Sequence, residues 1–140
     1  MRVLGVDFGF ARIGIATGET EFRITSSKGI LKASKSLAKD AATLVSLAKK
    51  EGCEQIIVGL PILENAHDDG RMQRICRSLA KNISLLSMPV ILVDESFTSV
   101  AAESKLYDLG YKQTKVKKLK DCLSAELILE RFFEIGSPSA

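Results

Sequence analysis

A change of period near residue 33 constrains this chain's fold more than any other feature. Before it, Arg2 to Phe8, Ala11 to Thr17 and Phe22 to Leu31 read as strands, joined at Gly9-Phe10 and Gly18-Glu-Thr-Glu21. Links this short favour antiparallel hairpins. From Ser34 onward the apolar spacing is helical: Leu37, Ala41, Leu44, Val45 and Ala48 share a face, and Gly52 ends the helix. Gln55 to Val58 is a short apolar strand leaving through Gly59-Leu-Pro61. Gly70 to Leu86 is a second helix, and Pro89 to Val93 a buried strand. Thr98 to Leu109 and Lys117 to Phe133 are two more helices. The order β-β-β-α-β-α-β-α-α predicts an α/β fold with a mixed sheet of about five strands. Three antiparallel strands come first, then parallel strands whose right-handed crossovers put helices on both faces.

Length and composition narrow the class. The 140 residues suit one domain, expected over 1–135, with Gly136-Ser-Pro-Ser-Ala140 as a flexible tail. A hydrophobic content of 46% excludes a disordered chain and a small disulfide scaffold. Cys53, Cys76 and Cys122 are widely spaced and odd in number, without zinc spacing, as expected for reduced, mostly buried thiols. No targeting leader is expected, because a strand pattern follows Met1 at once, and no apolar run approaches the ~20 residues of a membrane span. The expected location is the cytoplasm, with no membrane partner. Net charge is +3, and Lys112, Lys115, Lys117, Lys118 and Lys120 cluster ahead of Asp121, a distribution suited to a phosphate backbone.

The chemistry centres on Asp7. It ends an apolar strand where another apolar residue is expected, with Gly5, Gly9 and Gly14 keeping bulk away. A buried, unpaired carboxylate is costly, so it calls for a cation, a donor or a proton. Alternation puts Val3, Gly5 and Asp7 on one face. The strand before Asp94 and Glu95 ends in two acids on opposite faces, only one of which can join Asp7. Periodicity leaves both open. Asp121, Ala125, Ile128 and Phe132 form one helical stripe, so Asp121 is either a cap or a ligand at the head of an inward face. Carboxylates converging from different elements suit Mg2+ or Mn2+, which take oxygen ligands and keep positions for water and phosphate. Such ions activate water and stabilise a leaving oxygen in phosphodiester cleavage. His67 reads as an exposed loop residue. Asp69 reads as part of a helix start, and Cys122 has no nearby base to activate it.

Four segments together resemble the bacterial pre-16S rRNA nucleases, also described as Holliday junction resolvases, of the ribonuclease H-like superfamily. They are Gly5-Val-Asp-Phe-Gly-Phe-Ala-Arg-Ile-Gly14, Ile57-Val-Gly-Leu-Pro61, Val93-Asp-Glu-Ser-Phe-Thr-Ser99 and Lys117-Lys-Leu-Lys-Asp-Cys-Leu-Ser-Ala125. The resemblance spans nearly the whole chain. It implies a ribonuclease H-like fold and a Mg2+ or Mn2+ site on Asp7, Glu95 and Asp121, with Arg12, Thr98 and Lys118 near the substrate. Ser96 stands where the family usually has Arg, and Ala11 where it usually has Lys. The loop after Pro61 also departs from the family's Met-Asp-Gly-Thr-like run.

The expected function is therefore metal-dependent phosphodiester hydrolysis, in processing of the 5' end of precursor 16S rRNA. The partner would be structured RNA, in the setting of a pre-ribosomal particle, and the protein a monomer or homodimer. The alternatives are a resolvase acting on four-way DNA junctions, for which paired incisions imply a symmetric dimer, and a non-catalytic nucleic-acid-binding module.

Overall fold

β1 (Arg2–Phe8) is the axis on which the fold is built. It pairs antiparallel with β2 (Arg12–Glu19) on one side and parallel with β4 (Gln55–Leu60) on the other. β3 (Ile24–Lys32) extends the sheet antiparallel beyond β2, and β5 (Val90–Asp94) extends it parallel beyond β4. The strand order is β3-β2-β1-β4-β5. The helices are α1 (Leu37–Lys50), α2 (Arg71–Leu85) and α3 (Gln113–Gly136). The computed structural model describes residues 1–61, 69–95 and 104–136, with the side chains of 117–122 and 136 outside that description. Of the expected helix Thr98 to Leu109, residues 104–108 are helical and residues 98–103 lie outside the described residues.

Alternation along the strands divides the core into two layers. Leu4, Val6 and Phe8 of β1, with Ile13 and Ile15 of β2 and Ile56 and Val58 of β4, pack against Ala41, Leu44 and Ala48 of α1 and Cys76, Leu79 and Ile83 of α2. Val3, Ala16, Ile57 and Val93 point the other way and meet Ala125, Ile128, Leu129, Phe132 and Phe133 of α3. Burying one such large aliphatic side chain contributes about 1.5–3 kcal/mol. The apolar period that predicted each element is thus the period that fills one of these layers.

Local chemistry sets the element ends. Ser36 caps α1 by accepting the Lys39 N–H at 3.4 Å, and Gly52 leaves the helix at φ +73°. Gly29, at φ +99°, sits at the register shift where β3 bulges against β2. Gly18 differs from expectation. It lies within β2, opposite Val3, and the turn follows it. A Cβ there would come within 2.8 Å of Phe133 Cζ, so this glycine serves the close approach of α3. Gly5 does the same: its Cβ would lie 2.6 Å from Leu129 Cγ and 3.0 Å from the Ala125 carbonyl oxygen. The room beside Asp7 that the sequence suggested is therefore occupied by helix. α3 also begins four residues earlier than its apolar stripe indicated and runs through Gly136, while residues 137–140 lie outside the described residues.

Candidate active site

The two acids that meet come from strands that do not touch. β4 lies between β1 and β5. The parallel register that pairs Val6 with Val58 carries Asp7 to the level of Gly59. On the far side Leu60 pairs with Asp94, and the Glu95 N–H donates to the Leu60 carbonyl at 3.0 Å. Glu95 shares its face with Val93, and Val93 packs against α3. Asp94 shares its face with Val90 and Leu92, which pack against the opposite layer, and is itself exposed. The choice that periodicity left open is thus decided by the face α3 covers, and Glu95 is the acid that meets Asp7.

Gly59 makes the meeting possible. It lies on the α3 side of β4, two residues after Ile57, directly between the acids. A Cβ built there would run into Glu95 Oε2 and lie 2.5 Å from Ile128 Cδ1. Glu95 therefore occupies the space that any other residue at position 59 would fill. The sequence suggested chiefly a sharp strand exit here, with a functional role as the lesser alternative. The available signal was a glycine two places after a buried Ile on a central strand, where glycine weakens the strand unless something needs the space.

The electrostatics follow from this crowding. Glu95 is pushed up to about 8, first by burial, then by the neighbouring charge of Asp7 and by its hydrogen bond with Asp7. The direction is that of a carboxyl favoured in its protonated form beside a second acid, where it would be able to donate to Asp7. Cys76, on α2, is pushed up to about 12, by burial and then by the charges of Glu95 and Asp7. At neutral pH it is a thiol, inert as a nucleophile.

Two acids pressed together have the chemistry of a cation site, at which Asp7 and Glu95 would hold a divalent ion that neutralises their repulsion. Their hard oxygen donors fit Mg2+ or Mn2+. Among the described residues no third His, Cys, Asp or Glu joins them in a cluster. The backbone of α3 nevertheless brings Asp121 to the right level. α3 runs antiparallel to β1, with Phe133 against Gly18 (opposite Val3) and Ala125 against Gly5. The four residues from Ala125 back to Asp121 span about 6 Å of helix, and Gly5 to Asp7 spans about the same length of strand. Asp121 lies in the body of the helix, eight residues after Gln113, so its position is not that of an N-cap.

The remaining candidates divide. Arg12 opens β2, is exposed, and shares the Asp7 face through Gly14 and Ala16; its carbonyl accepts the Gly9 N–H at 2.9 Å. Lys118 is in α3 with its side chain outside the described residues, and Thr98, Ser96 and His67 lie outside them altogether. Lys112 and Lys115 of the basic cluster are exposed, and Lys115 Nζ lies 5.4 Å from the Tyr111 ring centroid. Asp69 lies just ahead of α2, whose N-cap is Gly70, and its Oδ1 accepts the Arg71 N–H at 3.0 Å.

Known structures that share this fold include ribonuclease H-fold resolvases. RuvC of T. thermophilus in complex with a Holliday junction substrate superposes with a TM-score of 0.62 at 16% identity, covering 100% of this chain and 98% of that one. The yeast mitochondrial Holliday junction resolvase Ydc2 gives 0.57 at 13% identity, covering 96% of this chain and 78% of that one. The class is thus the RuvC-like ribonuclease H fold.

Sequence comparison narrows it. Residues 1–135 match the family model described as "RuvX: Holliday junction resolvase". A protein of Mycoplasma pneumoniae named "Putative pre-16S rRNA nuclease" is 36% identical, covering 98% of both chains. One of the same name from Endomicrobium trichonymphae is 35% identical, covering 97% of both. The chain belongs to the RuvX family, and it is a hydrolytic nuclease of ribonuclease H-like fold. Dependence on a divalent metal goes with that fold. No helix among the described residues is long and apolar enough to cross a membrane.

Proposed function

We propose that residues 1–135 form one nuclease unit that hydrolyses phosphodiester bonds of structured precursor 16S rRNA, with Asp7, Glu95 and Asp121 holding Mg2+ or Mn2+. The observation that carries this reading is the meeting of Asp7 and Glu95 over Gly59, two crowded acids whose repulsion a cation would relieve. A divalent ion bound there supplies water activation and charge neutralisation at the scissile phosphate. The chain's own part is to aim the oxygens. β1 and β5 hold two carboxylates on rigid backbone, α3 closes the face behind them, and Cys76 stays protonated and apart from the reaction. Arg12, on the same face as Asp7, is suited to hold a substrate phosphate. Thr98 and Lys118 are proposed to complete the binding surface, the latter with the lysines preceding Asp121. The names of the curated relatives support the RNA substrate, and the reading puts the enzyme in the cytoplasm.

The family model's description favours a second reading, cleavage of four-way DNA junctions by a symmetric dimer. One assay separates the two. Labelled precursor 16S rRNA fragments and four-way junction DNA are incubated with Mn2+ and either the wild type or Asp7→Asn. Cleavage of the RNA alone, lost in the variant, is the expected result. Cleavage of the junction alone selects the resolvase. Cleavage that survives in Asp7→Asn refutes the assignment of the site.

A further inference from the structure

Across the sheet from α3, beside the end of β1, lies a cavity of about 400 Å³ that the reaction as described does not use. Phe8, Phe10, Lys35, Asp40, Arg71 and Ile75 line it. We propose that it receives one unpaired nucleobase of the substrate strand, next to the phosphate held at Asp7. The proposal rests on the nuclease reading above and adds a base-reading subsite to it.

Three observations converge on a base. First, Phe10 is 54% exposed, and the Arg71 guanidinium lies 5.2 Å from its ring centroid. Flat aromatic and guanidinium groups are the surfaces on which unpaired bases stack. Secondly, Asp40 is 3% exposed, its Oδ1 accepts the Ser34 N–H at 3.0 Å, and its Oδ2 has no hydrogen-bond partner among the described residues. A buried acceptor left unmade is costly, and the exocyclic amine of adenine, cytosine or guanine supplies the missing donor. Uracil offers carbonyl oxygens on either side of its single N–H, which a carboxylate repels. Thirdly, Lys35 and Arg71 place positive charge at the rim for the flanking phosphates.

Position fits as well. Phe10 follows Asp7 by three residues, so their Cα atoms are at most about 11 Å apart. A strand whose phosphate is held on the α3 side of β1 can pass over the Gly9 turn and drop its next base on the other side. The volume is at the lower end of ligand pockets, which suits a single base and not a stacked pair.

The test uses the intact chain in metal-free buffer, where binding is read without cleavage. Fluorescence anisotropy compares single-stranded RNA octamers that are intact, carry one central abasic ribose, or consist of uridine alone, against wild type, Phe10→Ala and Asp40→Asn. The wild type is expected to bind the intact mixed-sequence octamer about tenfold more tightly than the abasic one, within the range of a lost base–aromatic stack. Phe10→Ala, at an exposed position, is expected to stay folded by thermal melting and to lose that difference. Asp40→Asn retains an oxygen for the Ser34 N–H and is expected to lose the preference over oligouridine. Nothing in the cavity is assigned to the sugar, so a DNA octamer of the same sequence should show the same abasic loss. Equal binding of intact and abasic octamers, no octamer binding, or a difference that persists in Phe10→Ala overturns the proposal. Each of these outcomes leaves the nuclease reading standing, because Mn2+-dependent cleavage lost in Asp7→Asn tests that separately.

Discussion

Glu95→Gln should stabilise the metal-free protein, and should do so more strongly as the pH rises. In the folded chain Glu95 is held at about 8, against 4.5 for the unperturbed group. The sign follows from linkage. The folded state binds a proton that the unfolded state has released between pH 4.5 and about 8, so stability falls as pH rises through that window. At about 1.4 kcal/mol per pH unit, the full window corresponds to a ceiling on the order of 5 kcal/mol. Partial exposure of the group reduces this to a few kcal/mol. Gln is nearly isosteric, can donate to Asp7 as the protonated acid does, and does not titrate. In EDTA, the melting temperature of the wild type relative to Glu95→Gln should therefore decline from pH 5 to pH 8. For a chain of this size each kcal/mol is worth roughly 3–5 °C. Mn2+ should restore the wild type at pH 8 and leave the variant nearly unchanged, because the cation takes the proton's place. Parallel melting curves for the two proteins across pH 5–8 in EDTA would refute the crowded-pair argument.

Three further outcomes follow from the same geometry. Gly5→Ala should cost about 1–3 kcal/mol in urea unfolding, because its Cβ would meet Leu129 at 2.6 Å and the α3 backbone at Ala125. Gly59→Ala should abolish Mn2+-dependent cleavage at a temperature where circular dichroism shows the chain still folded, since the new methyl takes the space of Glu95 Oε2. Asp94→Asn should retain near wild-type cleavage while Glu95→Gln loses it, as Asp94 is exposed on the opposite face; equal loss in both would contradict the face assignment.

Much of the fold was legible because each element carries its own period. β1 was readable as Arg2–Phe8 because seven residues alternate between two covered layers. The helical stripe of α1 was readable from Leu37 to Ala48, and the element order and mixed sheet agree with expectation. The misreadings share a cause. Gly18 looked like a turn residue and α3 looked shorter, because both depend on what lies against them. Glycine at a turn and glycine under a helix are the same letter. The exposed first turn of α3, Gln113 to Lys115, has no apolar stripe to announce it.

The candidate site divides along the same line. Asp7 was conspicuous by itself, as a carboxylate at the end of an apolar strand. Its partner was not, because Asp94 and Glu95 are chemically equivalent neighbours that differ only in the face they occupy. That face is set by α3 packing on Val93, Ile57 and Val3, a contact between segments far apart in the chain. Gly59 illustrates the same limit, since its role is to be absent from a space that two other strands and a helix define. By itself the sequence determined most of the elements, the antiparallel pairing of the first three strands and the first acid, because these follow from short-range periodicity, short links and the cost of burying charge. Which acid meets Asp7, what lets them meet, and the cavity behind Phe10 were decided by tertiary structure, because each depends on distances between parts of the chain that no local pattern encodes.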